Sequence, residues 1–289
     1  VLLVVVDVVL VAMALARTTP EAVGTPRPVP TFGASPERTP SASATPTSGA
    51  TAQGAVDGES RRLLSAVDGQ EAWRASSATC SDAQVVLEHT VDGGATWTPV
   101  TLGDDVRAVW GMRATTAGVS VVAAVGDDCA ATVRTSVDDG LTFRDGDVSA
   151  GGAGITPEGI LLGATTAEAP CPEPIDAFQG STTAVVVCDG QLEWRTGTAA
   201  WVDVPLSGVR GIAVDGTTYT LARVGTETCE GVQIETMPAT GVTPTTTTTP
   251  IGCNPVNPDS SIALDRAGQD VWMWAGDDVA VSVNGGANW

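Results

Sequence analysis

Carboxylates come in adjacent pairs along this sequence: Asp104 with Asp105, Asp127 with Asp128, Asp138 with Asp139, and Asp277 with Asp278. Two carboxylates about 5 to 10 Å apart are what glycoside hydrolysis requires, and acidic turns of this kind also make weak Ca²⁺ sites. The pairs fall in Gly- and Asp-rich turns such as Gly103–Asp105, Gly126–Asp128 and Gly276–Asp278, where adjacent Asp residues are ordinarily solvated hairpin ends. The single histidine, His89, stands beside Glu88 in an alternating run, which suits a surface or packing role better than catalysis. Trp272 and Trp274 share one face of a strand-like segment and form a candidate platform for stacking a sugar or docking a protein; core packing is the commoner fate of such a pair. There is no G-x-S-x-G elbow, no P-loop and no H-E-x-x-H segment. The sequence calls for no cofactor and no metal.

Six cysteines remain to be used: Cys80, Cys129, Cys171, Cys188, Cys229 and Cys253. With no C-x-x-C pair and one histidine in the chain, disulfides are the expected use. Six cysteines allow fifteen pairings and the sequence leaves the choice open; the sequentially nearest set joins 80 to 129, 171 to 188 and 229 to 253.

The compartment is read from the start of the chain. Val1 to Ala16 is apolar apart from Asp7, and Arg17 ends it. Residues 1–17 are therefore expected to be a signal peptide or a transmembrane anchor. A run shorter than about 20 residues and the small residues Ala14 and Ala16 favour cleavage, whereas a longer run with upstream residues favours an anchor; Asp7 is costly in lipid. Either way the body is expected to be extracellular or on the cell surface. Residues 18–58 are rich in Pro, Ser, Thr, Ala and Gly and too poor in large apolar side chains to fold. They are expected to be a disordered tether reaching about 100 Å when extended. Charge agrees with export: 34 acids oppose 14 basic residues, all of them Arg, for a net −20. Such a surface repels nucleic acid.

From residue 59 the pattern changes to short runs of Val, Ala, Thr and Ile separated by Gly and Asp, with no sustained 3.6-residue period, the signature of an all-β domain. Within it three segments repeat: TVDGGATW ending at Trp97, SVDDGLTF ending at Phe143 and SVNGGANW ending at Trp289. The first two aromatics stand about 46 residues apart, and Phe143 and Trp289 are separated by about three periods of 49. Trp201 marks a degenerate copy, and the Thr-rich tract Thr240 to Pro250 takes the place of another. In the two intact copies Asp92 or Asp138, and in the imperfect third Asn284, is placed to accept backbone N–H groups across a turn. Gly94, Gly140 or Gly286 supplies positive φ, and Trp97, Phe143 or Trp289 packs beneath the hairpin.

These segments resemble the Asp-box (BNR) repeat family, which includes sialidases, other glycoside hydrolases and photosystem assembly factors. The resemblance implies a β-propeller, with each box between the third and fourth strands of a blade. The repeat count predicts about five four-stranded blades over residues 59–289, at about 60–100, 104–147, 150–206, 208–255 and 258–289. The last unit stops at its box aromatic, so ring closure calls for a strand from before Ser60 or for further chain. A sialidase-type activity, if the resemblance extends so far, implies an arginine triad and a Tyr nucleophile. The only Tyr is Tyr219, the candidate arginines are Arg74, Arg113, Arg210 and Arg223, and no Arg-Ile-Pro segment is present. The reading favoured is a monomeric, non-catalytic module binding a protein or glycan; the alternative is a divergent sialidase-like glycoside hydrolase.

Overall fold

The computed structural model describes residues 61–77, 80, 85–257 and 261–289, all within the unit Gly54–Trp289. The apolar helix expected over residues 1–17 and the tether over 18–58 lie outside the described residues. Those described contain strands and turns and no helix.

Six antiparallel sheets follow one another along the chain. Blade 1 is β1 (Arg61–Ala66), β2 (Ala72–Ser77), β3 (Leu87–Thr90) and β4 (Thr98–Val100); blade 2 is β5 (Val106–Thr115), β6 (Gly118–Val125), β7 (Ala130–Ser136) and β8 (Arg144–Asp145). Blade 3 has three strands, β9 (Ala153–Thr156), β10 (Gly159–Leu162) and β11 (Thr165–Ala167). Blade 4 is β12 (Asp176–Gln179), β13 (Thr183–Cys188), β14 (Gln191–Thr196) and β15 (Val202–Val204), and blade 5 is β16 (Val209–Asp215), β17 (Thr218–Arg223), β18 (Val232–Pro238) and β19 (Thr249–Asn254). Blade 6 is β20 (Ala263–Ala267), β21 (Asp270–Ala275) and β22 (Asp278–Ser282). The inner strands β1, β5, β9, β12, β16 and β20 neighbour one another in that order, and β20 returns to β1. The protein is a six-bladed propeller.

The expected five blades are thus corrected to six. The stretch assigned to one unit, 150–206, holds two blades, because blade 3 occupies only residues 153–167 and carries no box to mark it. Blade 3 is short for an identifiable reason. Gly152 lies against Arg113 while Gly154 lies against the Trp110 carbonyl, so β9 descends past β5 in the opposite sense. That is the direction of a second strand. Blade 3 has three strands, and β9 takes the inner position that a first strand holds in the other blades. The preceding chain instead crosses the face of blade 2, where a Cβ on Gly151 would stand 2.6 Å from Val122.

Strand composition follows from position in the ring. Middle strands are covered on both faces by neighbouring blades, so β6 (GVSVVAAV) and β13 (TAVVVC) are nearly continuous apolar runs, buried throughout except at their ends. Outer strands such as β4 and β8 are short and largely exposed.

Blades are joined by the boxes. In blade 1 the Thr96 amide and hydroxyl donate to the two Asp92 oxygens at 2.9 and 2.6 Å, and the Gly94 amide donates to Thr90 Oγ1 at 3.1 Å. Thr142, Asp138, Gly140 and Ser136 repeat this arrangement in blade 2. Asn284 in blade 6 still accepts the Asn288 amide at 2.9 Å. The side-chain bonds from Thr96 and Thr142 hold the Asp92 and Asp138 carboxyls down at about 2. Each box glycine has positive φ, and the space where its Cβ would be abuts the preceding blade: Gly140 meets Trp73 of blade 1 and Gly286 meets Ile234 of blade 5. Gly94 of blade 1 meets Trp272 of blade 6. The ring therefore closes with the same device that joins its other blades, helped by Trp272 Nε1 donating to the Asp68 carbonyl at 2.8 Å. Trp201 stands just before β15, and Thr240 to Thr248 lies between β18 and β19, the places boxes hold in blades 1 and 2.

Three disulfides join Cys80 to Cys129, Cys171 to Cys188 and Cys229 to Cys253, with Cα separations of 6.1, 6.2 and 5.7 Å. The first links blade 1 to blade 2. The third lies within blade 5.

Candidate functional site: the axial cavity

The inner strands surround a cavity of about 250 Å³ on the axis. It adjoins a wider mouth of about 480 Å³, with which it shares Arg113, Gly152, Phe178, Gln179 and Val214. The mouth opens where Gln179 to Thr183 turns between β12 and β13, beside Ser149 and Thr240. Ser149 belongs to the segment that crosses blade 2 ahead of β9, so the short blade 3 shapes this opening.

Three inner-strand side chains tie neighbouring blades together at the cavity wall. Ser65 Oγ accepts the Ala114 amide of blade 2 at 2.8 Å, Asp176 Oδ2 accepts the Ile212 amide of blade 5 at 3.1 Å, and Asp265 Oδ2 accepts the Ala66 amide of blade 1 at 2.7 Å. Each reaches from its own blade to the next. Both residues are half-buried and line the cavity. Burial therefore dominates and pushes Asp176 up to about 7 and Asp265 up to about 6, against the pull of their backbone donors and of Arg61 and Arg113 respectively. Arg61 donates through Nη2 to the Ile155 carbonyl at 2.8 Å, and burial lowers its pKa from the ordinary value.

Arg113 differs from the other arginines proposed for a triad. Its side chain is exposed and, among the described residues, has no ion pair within 4 Å. Arg210 pairs with Asp189 at 3.7 Å, and Arg223 pairs with the buried Glu235 at 2.9 Å. Arg74 binds Glu88 at 2.6 Å and lies over the Trp97 and Trp274 rings. Of the four, Arg113 alone lines the cavity, so no triad assembles from them. Tyr219 is fully buried in the core shared by blades 4 and 5, edge-on to Phe178, with its hydroxyl 3.4 Å from Thr183 Oγ1. Burial raises its pKa, the reverse of what a nucleophile needs.

The tryptophan platform is also corrected. Trp272 is 0% exposed and Trp274 9%, because the face of β21 that they share is the one turned to blade 1. His89 stacks on Trp73 at 3.9 Å and approaches Glu71 at 3.1 Å. Of the adjacent acids, Asp105 binds Arg134 at 2.8 Å, and among the described residues no group of three or more His, Cys, Asp or Glu is placed to hold a metal ion.

Asp176 and Asp265 went unnoticed in the sequence because neither belongs to a motif. One signal was available for Asp176, which sits between apolar neighbours in PIDAF, where an unpaired surface acid is not expected; Asp265, in ALDRA, is followed by Arg266 and carries no such mark.

No protein-family model and no curated protein matches the chain. Among solved structures, "YCF48 bound to D1 peptide" shares 16% identity at a TM-score of 0.30, over 77% of this chain and 63% of that one. The GH74 enzyme of Niastella koreensis shares 14% at 0.41, over 77% and 45%, and GH43 BlXynB of Bacillus licheniformis shares 13% at 0.37, over 74% and 48%. The chain spans less than two thirds of each of these proteins. The propeller assignment rests on the six sheets and their boxes, which resemble those of Asp-box proteins.

Proposed function

We propose that this chain is an exported surface module that binds a protein or glycan without transforming it, and that the axial cavity and its mouth form the binding site. The observation that carries this reading is Arg113, which among the described residues has no ion pair within 4 Å and stands in a concave site of a protein with 34 acids. Ser149, Ser181, Thr182 and Thr183 line the same mouth, and polar residues around a pre-formed opening are the usual makeup of a ligand site. The three disulfides and the apolar Val1 to Ala16 segment support export. The test is a glycan array and a peptide display panel probed with the full chain. A ligand whose binding is lost in Thr182→Trp, which obstructs the mouth, and kept in Thr228→Trp on blade 5 supports the site; ligands indifferent to both variants refute it.

A second reading draws on Asp176 and Asp265, two carboxyls held partly protonated near neutral pH beside one cavity, as acid and base catalysts are. It is the glycoside hydrolase alternative, with the roles moved away from Tyr219. Turnover of fluorogenic sialosides or other glycosides, abolished by Asp176→Asn or Asp265→Asn, would establish it.

A further inference from the structure

Asn284–Gly285 is the single Asn–Gly bond in the sequence, and it stands where the boxes of blades 1 and 2 have Asp92–Gly93 and Asp138–Asp139. Before glycine an asparagine closes on its own main chain with least hindrance, because no Cβ keeps the next nitrogen from the side-chain Cγ. Of the other asparagines, Asn254 and Asn257 precede prolines, whose nitrogen has no proton to give up, and Asn288 precedes the bulky Trp289. In the seated box the Gly285 nitrogen is engaged. Its N–H donates to the Gln269 carbonyl, in the turn between β20 and β21, at 2.8 Å, as Gly93 does to Gln70 in blade 1, and Gly285 is buried. Asn284 Oδ1 accepts the Ser282 hydroxyl and the Asn288 amide, both at 2.9 Å, and the Gly286 amide donates to Ser282 Oγ at 3.0 Å. Gly286 in turn lies on Ile234 of blade 5. Nucleophile and side-chain amide are therefore both held while the box is in place.

We propose that Asn284 is a self-modification site, silent while the blade 6 box is seated on blade 5 and converted to aspartate when the box lifts. The step needs only water. Hydroxide takes the freed Gly285 amide proton, the nitrogen attacks Asn284 Cγ, and the Cγ–Nδ2 bond breaks as ammonia leaves with a proton from water. The five-membered imide then adds water at one of its two carbonyls. Opening at Cγ leaves aspartate; opening at the main-chain carbonyl leaves isoaspartate. Aspartate restores the pattern of blades 1 and 2, where one carboxylate oxygen takes a backbone amide and the other a side-chain donor, Thr96 or Thr142. In blade 6 Asn288 has the place of Thr96, and its side-chain amide is a donor as well. Isoaspartate lengthens the hairpin main chain by a methylene and does not fit the box. The site thus records each opening of blade 6 and, through one of its two products, completes the imperfect box.

The test follows the full chain at pH 8 by peptide mass spectrometry, which reads the mass gained when NH₂ is replaced by OH, with hydrogen exchange of the Gly285 amide measured in parallel. Conversion at Asn284 is expected to be about a hundredfold slower in the folded, oxidised chain than in the urea-unfolded chain, since local opening must precede it. Ser282→Ala takes away the hydroxyl shared by Asn284 Oδ1 and the Gly286 amide, and is expected to speed both conversion and Gly285 exchange about tenfold. The same two rates should rise together in the native chain as urea is raised below the unfolding transition, a measurement that needs no variant. Asn284→Asp should keep its thermal midpoint at or above the native value. Equal conversion in the folded and unfolded chains overturns the proposal, as does conversion that fails to follow Gly285 exchange. A midpoint lowered by more than a few degrees in Asn284→Asp overturns the completion of the box.

Discussion

Asp176→Asn isolates the cost of holding a carboxyl on the propeller axis. In the native protein this group stands at about 7, against 3.8 for an ordinary Asp. Between those values the folded state binds a proton that the unfolded chain releases, so stability falls as pH rises, by up to about 1.4 kcal/mol per unit. The effect is absent below about pH 4 and complete above about pH 7. That difference sets a ceiling of about 4 kcal/mol, which solvent reaching the half-buried carboxyl lowers. Asp265, at about 6, acts with the same sign over a narrower window. Asp176 accepts the Ile212 amide on one oxygen and the Ala177 amide on the other. Asn keeps one acceptor and presents a donor on the other atom, as the protonated carboxyl does. The variant should therefore match the native protein to within about 1 kcal/mol at pH 4.5 and be more stable at pH 8. Urea denaturation of the oxidised chain at half-unit steps from pH 4.5 to 8 measures this divergence. Parallel curves for the two proteins would refute the assignment of a buried, largely protonated carboxyl.

The remaining expectations concern the ring. Asp92 and Asp138, held at about 2, contribute stability that is present above about pH 4 and lost as pH falls through 2; Asp138→Asn should blunt this acid limb in a circular-dichroism pH titration. Gly140→Ala, at φ +81° with Val100 2.7 Å from the new Cβ, should cost about 2 to 4 kcal/mol in denaturant unfolding. Gly126→Ala, at φ +71° with open space around it, should cost only about 1. Removing each disulfide in turn by paired Cys→Ala should destabilise by about 4, 3.5 and 3 kcal/mol for the separations of 49, 24 and 17 residues, in that order. Trp272→Ala should cost about 3 to 5 kcal/mol by calorimetry.

What the sequence disclosed was what repeats. Intact boxes mark blades 1 and 2, the imperfect box with Asn284 marks blade 6, Trp201 marks blade 4, and the Thr-rich tract fills the corresponding place in blade 5. Blade 3 escaped because a spacing argument averages over an interval: between Phe143 and Trp201 a fifteen-residue blade without a box was absorbed into an overlong unit. The boxes themselves were legible because their bonds are local, running from Asp92 to Thr96 or from Asp138 to Thr142. The cavity was not, because every contact that builds it is remote in sequence. Asp265 meets Ala66 and Arg61 meets Ile155 only after the ring has formed. For the same reason the tryptophans of β21 read as a candidate platform: alternation shows that they share a face, and only closure shows that blade 1 covers it.

That closure also distinguishes one seam from the other five. Consecutive blades are joined by the chain itself, and blades 1 and 2 also by Cys80–Cys129. Between blade 6 and blade 1 the described residues supply no covalent link. Hydrogen bonds such as Ala66 to Asp265 and the packing of Trp272 and Trp274 hold this seam. Under force or mild denaturant the propeller should then open as a clasp does, parting first between blades 6 and 1. The axial cavity would come apart with it while the individual blades persist, so any ligand held on the axis would help to lock the clasp.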